Sequence, residues 1–398
     1  MDSPVRSNYH IPKDSQGREL LYFAGHSLGL QPKTVQRTVD RELNQWARSG
    51  VEGHFDAENA WYTYHERMRE PLSKLVGSQT HEVAALNSLS VNLNLLLTTF
   101  YRPTTKRYKI LVEEHLFPSD YYALEQQVKL HGLSAKECIE FIPWPKENKG
   151  FSLEIIRDTI NTLGESLALI LLPGVQYING QCFPMQELVE AGHKVGSIVG
   201  FDLAHAIGNV EMKLHEWQVD FACWCSYKYL NSGPGGPGGI FVHEKHLSKD
   251  LTQMAGWWGN DPNGRFTMEK AFVPVSNADR FQMSNPSILA LAAHEASLAE
   301  FDKTTIQDLR NHAKSLTDLA LNGFKNLDIN VITPSDWDTR GNQISIEMSN
   351  ATAVHKALRE EGIICDLRDM NILRLAFCPM YNKPEEIALM LDRLETLI

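Results

Sequence analysis

A chain of 398 residues has room for two ordinary domains, or for one large α/β unit with a smaller appendage, and excludes a mini-protein held by staples. Hydrophobic residues at 43% and charged residues at 22% exclude wholesale disorder, collagen-like repeats and coiled coils, and predict a packed core. Against 49 Asp and Glu stand 38 Lys and Arg, a net charge of −11, which is the wrong bias for neutralising phosphates, so no nucleic-acid partner is expected.

The first residues, MDSPVRSNYHIPKDSQGR, hold no apolar secretory core and lack the Arg/Ser-rich, acid-free composition of a transit peptide, so a cytoplasmic location is expected. Helices are predicted over 33–48, between Pro32 and Ser49-Gly50, then over 62–75, and over 91–100 up to Pro103. From there the pattern alternates: strand 108–112, helix 119–131, strand 139–142, helix 153–163, strand 167–172, helix 185–194, and strands 197–201 and 221–225. Short apolar runs separated by helices predict a mainly parallel sheet covered on both faces. The longest aliphatic run, Leu167 to Leu172, is far short of the roughly 20 residues that cross a bilayer, so no membrane association is expected. Residues 233–239 read as a glycine-rich loop whose backbone can approach a ligand or a neighbouring subunit. Past residue 286 the texture changes to a long helical stretch over 286–324, a strand at 343–348, a helix at 351–361, strands near 363 and at 372–376, and a last helix after Pro384, a compact α+β end piece. The six scattered cysteines read as reduced, buried thiols. Cys223 and Cys225 lack the spacing of a redox or zinc pair, and no metal is expected.

Asp202 ends one apolar segment and Lys228 stands just past another, 228 − 202 = 26 residues later. The carboxyl ends of parallel strands share the rim at which ligands bind, so the two are expected to face one cleft. A lysine among apolar and aromatic neighbours suits imine formation with an aldehyde, and an aspartate in the same cleft suits a protonated pyridine nitrogen, the pair required by pyridoxal 5'-phosphate (PLP). Taken singly, Asp202 reads rather as a turn cap and Lys228 as a solvated lysine; it is the pair and its context that point to PLP. Ser90, placed before a helix, and Ser119, placed at the start of another, are positions where free N–H groups suit a phosphoryl group, although N-caps carry the same signature.

A series of short motifs runs along the chain: Tyr22-Phe-Ala-Gly-His-Ser-Leu-Gly-Leu-Gln-Pro32, Gly53-His54, Phe117-Pro-Ser-Asp120, Gly200-Phe-Asp-Leu-Ala-His-Ala-Ile-Gly208, Cys225-Ser-Tyr-Lys-Tyr-Leu-Asn231, Gly256-Trp257, Ser284-Asn285-Pro286 and Arg374. In this order and over this length the chain resembles the kynureninases, PLP-dependent hydrolases of the aspartate aminotransferase fold, fold type I. The resemblance implies an α/β, fold-type-I PLP transferase-like architecture: a mainly parallel central sheet flanked by helices, with a smaller α+β domain. It implies a large PLP-binding domain over 50–286 and a small domain formed from 1–49 plus 287–398.

Carried over residue by residue, the resemblance assigns Lys228 to the internal aldimine, Asp202 to the pyridine nitrogen, Phe117 to stacking on the ring, and His205 to the Asp202 side. It assigns the phosphate to Leu89, Ser90, Asp120 and Tyr227, with Trp257 and Asn285 reaching in from the second subunit of a homodimer; Ser119 remains a cofactor-binding candidate from its place at a helix start. Pro173 stands at a cofactor-side position where a serine is common. Ser27, His54, Ser284 and Asn285 are assigned to substrate, and Arg374 to its α-carboxylate, which suits a guanidinium fork. The implied reaction is hydrolytic Cβ–Cγ cleavage of L-kynurenine or 3-hydroxy-L-kynurenine, through aldimine and ketimine intermediates, to an anthranilate and L-alanine, in tryptophan breakdown or NAD biosynthesis. Lys228 would carry the proton, and Tyr227 would donate one or hold phosphate. His54, Ser284 and Asn285 would favour the 3-hydroxy substrate.

The sequence departs from the family pattern at His26, where an asparagine is usual, at Ser90 in place of threonine, at Pro173, and around Ile178, departures that bear on fine specificity and would suit a relative acting on a substituted kynurenine. Rival readings are a class V aminotransferase or cysteine desulfurase, for which Cys378 is the candidate nucleophile, and a non-catalytic PLP-binding or partner-binding protein.

Overall fold

In chain order the strands are β1 (Leu21–Tyr22), β2 (Val83–Ala85), β3 (Lys109–Glu113), β4 (Ile139–Ile142), β5 (Leu167–Pro173), β6 (Ile198–Asp202), β7 (Phe221–Cys225), β8 (Gly238–Val242), β9 (Asn330–Val331), β10 (Gln343–Glu347), β11 (Ile363–Ile364), β12 (Asp366–Arg368) and β13 (Ile372–Ala376). The computed structural model describes residues 5–56, 58–144 and 150–398. Seven strands form one sheet in the order β2-β8-β7-β6-β5-β3-β4. The run from β4 to β7 is parallel, and β8 is antiparallel to both of its neighbours.

Burial on both faces explains the continuous apolar runs. In β5, Ile170 and Leu172 pack with Val199, Phe201 and Trp224 on one side of the sheet, while Leu169 and Leu171 pack with Ile110, Val112 and Phe221 on the other. A strand covered on both faces has no polar side to alternate with, so its sequence is apolar throughout.

The expected central strands are present, with ends shifted by a residue or so. Two were missed. β2 is three residues long, too short to show a pattern. β8 opens with Gly238 and Gly239, which had been read as loop. A Cβ at Gly239 would come within 2.4 Å of the Trp224 indole, so this glycine makes room for the chain's own tryptophan rather than for a ligand or subunit.

Three predicted helices also need correction. Over 62–75 the chain forms a 3-10 segment, Tyr64–Met68, before the α-helix Arg69–Val76. Pro71 has no N–H to donate back and its ring collides with the carbonyl four residues earlier, so continuous α-helix through this point is barred. The helix predicted from 91 starts at Leu89. The stretch 286–324 divides into Ile288–Phe301 and Ile306–Asn326, the second opened by the Thr305 hydroxyl, which accepts from the Asp308 N–H at 3.0 Å.

Beyond the main sheet, β12-β13-β10-β9 form an antiparallel sheet backed by the helices Ile306–Asn326, Ala351–Glu360 and Pro384–Leu397. The N-terminal segment joins this part: β1 pairs in parallel with β11, and Phe23 lies in the same core against Phe377, ring centroids 5.4 Å apart. Among the described residues, no helix is long and apolar enough to cross a membrane. All six cysteines are free; Cys182 is half-buried and the other five are buried.

Candidate active site

Strand β3 lies between β4 and β5, so the chain reverses its direction of travel across the sheet at this point. Open α/β sheets form their ligand crevice outside the carboxyl ends of the strands at such a switch. A cavity of about 400 Å³ opens there. The end of β3 supplies Glu113 and the turn carrying Phe117, Ser119 and Asp120; β5 supplies Pro173, β6 Asp202, and the turn after β7 Tyr227 and Lys228. Leu89 and Ser90 enter from the start of a helix, His26 and Ser27 from the N-terminal segment, and Arg368 and Arg374 from the small sheet.

The N-terminal motif is held on the lysine turn by backbone. Gly29 N–H donates to the Tyr227 carbonyl at 2.8 Å, and a Cβ on Gly29 would lie 2.3 Å from the Lys228 carbonyl oxygen. The glycine is required by this approach.

Lys228 Nζ lies 3.0 Å from His205 Nε2 and 5.9 Å from the centroid of Phe117, whose edge meets Tyr177 at 5.3 Å. Burial, then the charges of Lys228 and Arg374, push His205 well below its usual range and keep it neutral. A neutral His205 accepting at Nε2 carries its hydrogen on Nδ1, a buried atom with no partner among the described residues. At the floor, Asp202 accepts from the Ala204 N–H at 2.7 Å and meets the carboxyl of Asp120. Burial and then the neighbouring Asp202 charge raise Asp120 well above the carboxylate range; burial also raises Asp202, against the pull of Lys228. Glu113 is raised by burial and by Asp202. Three acids crowded together hold protons rather than three charges.

At the opposite wall Arg374 Nη1 donates to the Tyr177 carbonyl at 2.6 Å, Nη2 is paired with Asp366, and Nε has no partner. Asp366 also accepts from Ser27 Oγ at 2.6 Å and lies 3.2 Å from Arg368. Against its burial, His26, Arg374 and Ser27 hold this carboxylate far below the usual range.

The structure thus brings together Ser27, Leu89, Ser90, Phe117, Ser119, Asp120, Pro173, Asp202, His205, Tyr227, Lys228 and Arg374. His54, Trp257, Ser284 and Asn285 do not line the cleft of this single chain. One expectation changes. Ser90 and Ser119 are not N-caps: those positions belong to Ser88 and Phe117, and both serines lie inside the first turn. Asp120 abuts Asp202 at the acidic end of the cleft. Sequence reasoning missed Glu113, Tyr177, Arg368 and Asp366 as site residues. Glu113 carries the signal that identified Asp202, an acid closing an apolar strand, but the strand had been ended one residue early.

Outside the cleft, Glu82, His215 and His243 bring one ligand atom each within 4.8 Å of one another. These atoms serve the fold: Glu82 accepts from the N–H groups of Gln79 and Glu244 and lies 3.0 Å from His215 Nδ1, while His243 Nδ1 accepts from the Lys245 N–H.

The family described as "Kynureninase C-terminal domain" matches residues 309–394. The curated kynureninase of Koribacter versatilis is 46% identical, covering 95% of this chain and 91% of that one, and that of Christiangramia forsetii is 43% identical, covering 97% and 92%. Among solved structures, a cysteine desulfurase from Thermococcus onnurineus NA1 superposes with a TM-score of 0.81 at 18% identity, covering 100% of this chain and 98% of that one. C-DES with glycine covalently linked to its PLP cofactor superposes at 0.80 and 16%, covering 94% and 96%. The solved structures share the fold with this chain. The relatives share close to half its residues over nearly all of its length, and on that ground the chain belongs to the kynureninase family.

Proposed function

We propose that the protein hydrolyses the Cβ–Cγ bond of L-kynurenine and 3-hydroxy-L-kynurenine, giving an anthranilate and L-alanine, with PLP as cofactor. The observation that carries this reading is one cleft in which Lys228, His205, Asp202 and Arg374 converge from β6, β7 and the small sheet. The residues fit the cofactor: Asp202 for a pyridine nitrogen, the flat face of Phe117 for the ring, Lys228 for the aldehyde carbon, and the helix start at Leu89 and Ser90 with Tyr227 for the phosphate. His205 Nδ1, buried without a partner, is a donor left over for a bound group. When bound, PLP supplies the electron sink for breaking bonds at the amino-acid carbon.

The chain's own residues do the rest. Arg374 grips the α-carboxylate and fixes the substrate's orientation. The Lys228 amine, once released from the cofactor, removes and returns protons at carbon; His205, neutral and 3.0 Å away, orients it. Burial first, then Cys225, raises the Tyr227 hydroxyl, so it keeps its proton and can donate it or hold phosphate.

Assembly as a homodimer belongs to the same proposal. Phe55 and Phe266, at 53% and 60% exposure, form with Trp257 and Tyr62 an apolar surface beside His54, and such patches mark protein interfaces. Trp257, Ser284 and Asn285 are exposed, as residues reaching a partner's cleft would be in a single chain. The small domain is proposed to combine 1–49 with 287–398, a reading supported by the β1–β11 pairing. A cytoplasmic role in tryptophan breakdown or NAD synthesis completes the reading.

The desulfurase alternative needs a reactive thiolate at Cys378. That thiol is 3% exposed, burial pushes it up to about 12, and a Cβ on Gly25 would lie 2.4 Å from its sulfur. Steady-state assays of the PLP-loaded enzyme should show alanine release from kynurenine and 3-hydroxykynurenine, with kcat/KM higher for the latter, and none from cysteine. Alanine from cysteine with none from kynurenine would overturn the assignment.

A further inference from the structure

His26 is completely buried, and neither ring nitrogen has a hydrogen-bond partner within normal distance. Its Nε2 lies 3.6 Å from Asp366, the counter-ion of Arg374, and its ring centroid lies 6.2 Å from that of His205. Burial, then the charge of Arg374, with Lys228 adding to it against the pull of Asp366, hold it down at about 3, so it is neutral. The charged groups around it are therefore Arg374, Lys228 and Asp366, with Arg368 beyond Asp366 and neutral His205 alongside.

Arg374 has one fork nitrogen on Tyr177 and one on Asp366, and its Nε is buried without a partner. A ligand carboxylate that accepts from Arg374 would share the guanidinium with Asp366, which already holds Nη2. Two anions then share the local charge previously balanced by one, and like charges raise the proton affinity of their neighbours. Asp366 itself is held ionised by its donors. The neighbouring group with a lone pair to protonate is the imidazole of His26.

We propose that a carboxylate binding at Arg374 drives uptake of one solvent proton by His26, which becomes an imidazolium paired with Asp366 and positions Asp366 and Arg374 for the ligand. The inference rests on the reading of Arg374 as the substrate-carboxylate anchor. The proton adds to the unprotonated ring nitrogen and no other bond changes. An asparagine at this place could donate a hydrogen bond but could not take the proton, so the device requires the histidine at 26. Uptake on binding fixes the sign: affinity falls as pH rises, by up to about tenfold per unit, between the free and complexed proton affinities of His26.

The test uses PLP-loaded enzyme and 3-benzoylpropanoate, which keeps the carboxylate and aryl ketone but has no amine to react with the cofactor. Calorimetric titration near pH 6.5 in buffers of low and high ionisation enthalpy should show more than about half a proton taken up by the wild type. His26→Asn and Asp366→Asn should show none and a pH-independent affinity, while keeping the visible absorption of the lysine-bound cofactor; His26→Gln repeats the comparison should the shorter amide fail to fold. Unchanged uptake in His26→Asn, or none in the wild type while Arg374→Met abolishes binding, overturns the inference alone. Equal binding to Arg374→Met overturns the anchor reading beneath it.

Discussion

Two aspartates at opposite rims of adjacent strands show how one fold separates chemistry from scaffolding. Asp220, just before β7, accepts from the Val199 N–H at 2.8 Å, His193 at 2.9 Å, and His246 and Lys245 at 2.8 Å each. Against its burial, His193, His246 and Lys245 hold it far below the usual range. Asp202, at the end of β6, has a single backbone donor and an acid for a neighbour, and burial raises it. The saturated site stabilises the structure. The unsaturated one keeps capacity for a ligand, which is where perturbed acids acquire a task.

The sharpest way to break this contrast is at Lys228. Replacement by Ala should abolish the visible absorption of bound cofactor and lower kcat by at least about 10³, in line with losing a proton carrier, while leaving thermal unfolding nearly unchanged. The paired acids come next. Asp202→Asn should cost about 10² or more in kcat/KM with little change in stability, whereas Asp220→Asn should destabilise by about 3 kcal/mol, because it strips a buried cluster of its anion, and leave the kcat/KM of folded enzyme within about twofold. Equal behaviour of the two variants would erase the distinction.

A smaller effect is in acid. Because the folded Asp220 is depressed, its contribution is full above the unfolded value near 3.8 and is lost as pH falls below it toward the folded one. Acid unfolding followed by circular dichroism should therefore be shallower in Asp220→Asn than in the wild type.

The pair Asp202 and Lys228 was legible in sequence because each closes an apolar run, and parallel strands aim such ends at one rim. The central strands were legible for the same reason. Asp366 was not. Its role depends on lying opposite Arg374 across the antiparallel β12–β13 pair, a register that residues eight apart along the chain do not announce. The glycines of β8 misled because close approach is what a glycine permits, and the sequence does not say that the approaching group is Trp224. His26 stood out in sequence as a departure, but its isolation from every hydrogen-bond partner appears only once the N-terminal segment is seen folded over the lysine turn.

That fold-over has a consequence for biosynthesis. The clip from Gly29 to Tyr227 closes a loop of 227 − 29 = 198 residues, and Leu21 pairs with Ile363 across 363 − 21 = 342. Neither contact can form before its distant partner exists, so the N-terminal segment takes its place on the lysine turn only after β7 and beside β11 only after that strand is made. The cleft therefore lacks the wall supplied by His26 and Ser27 until strands far along the chain have been made.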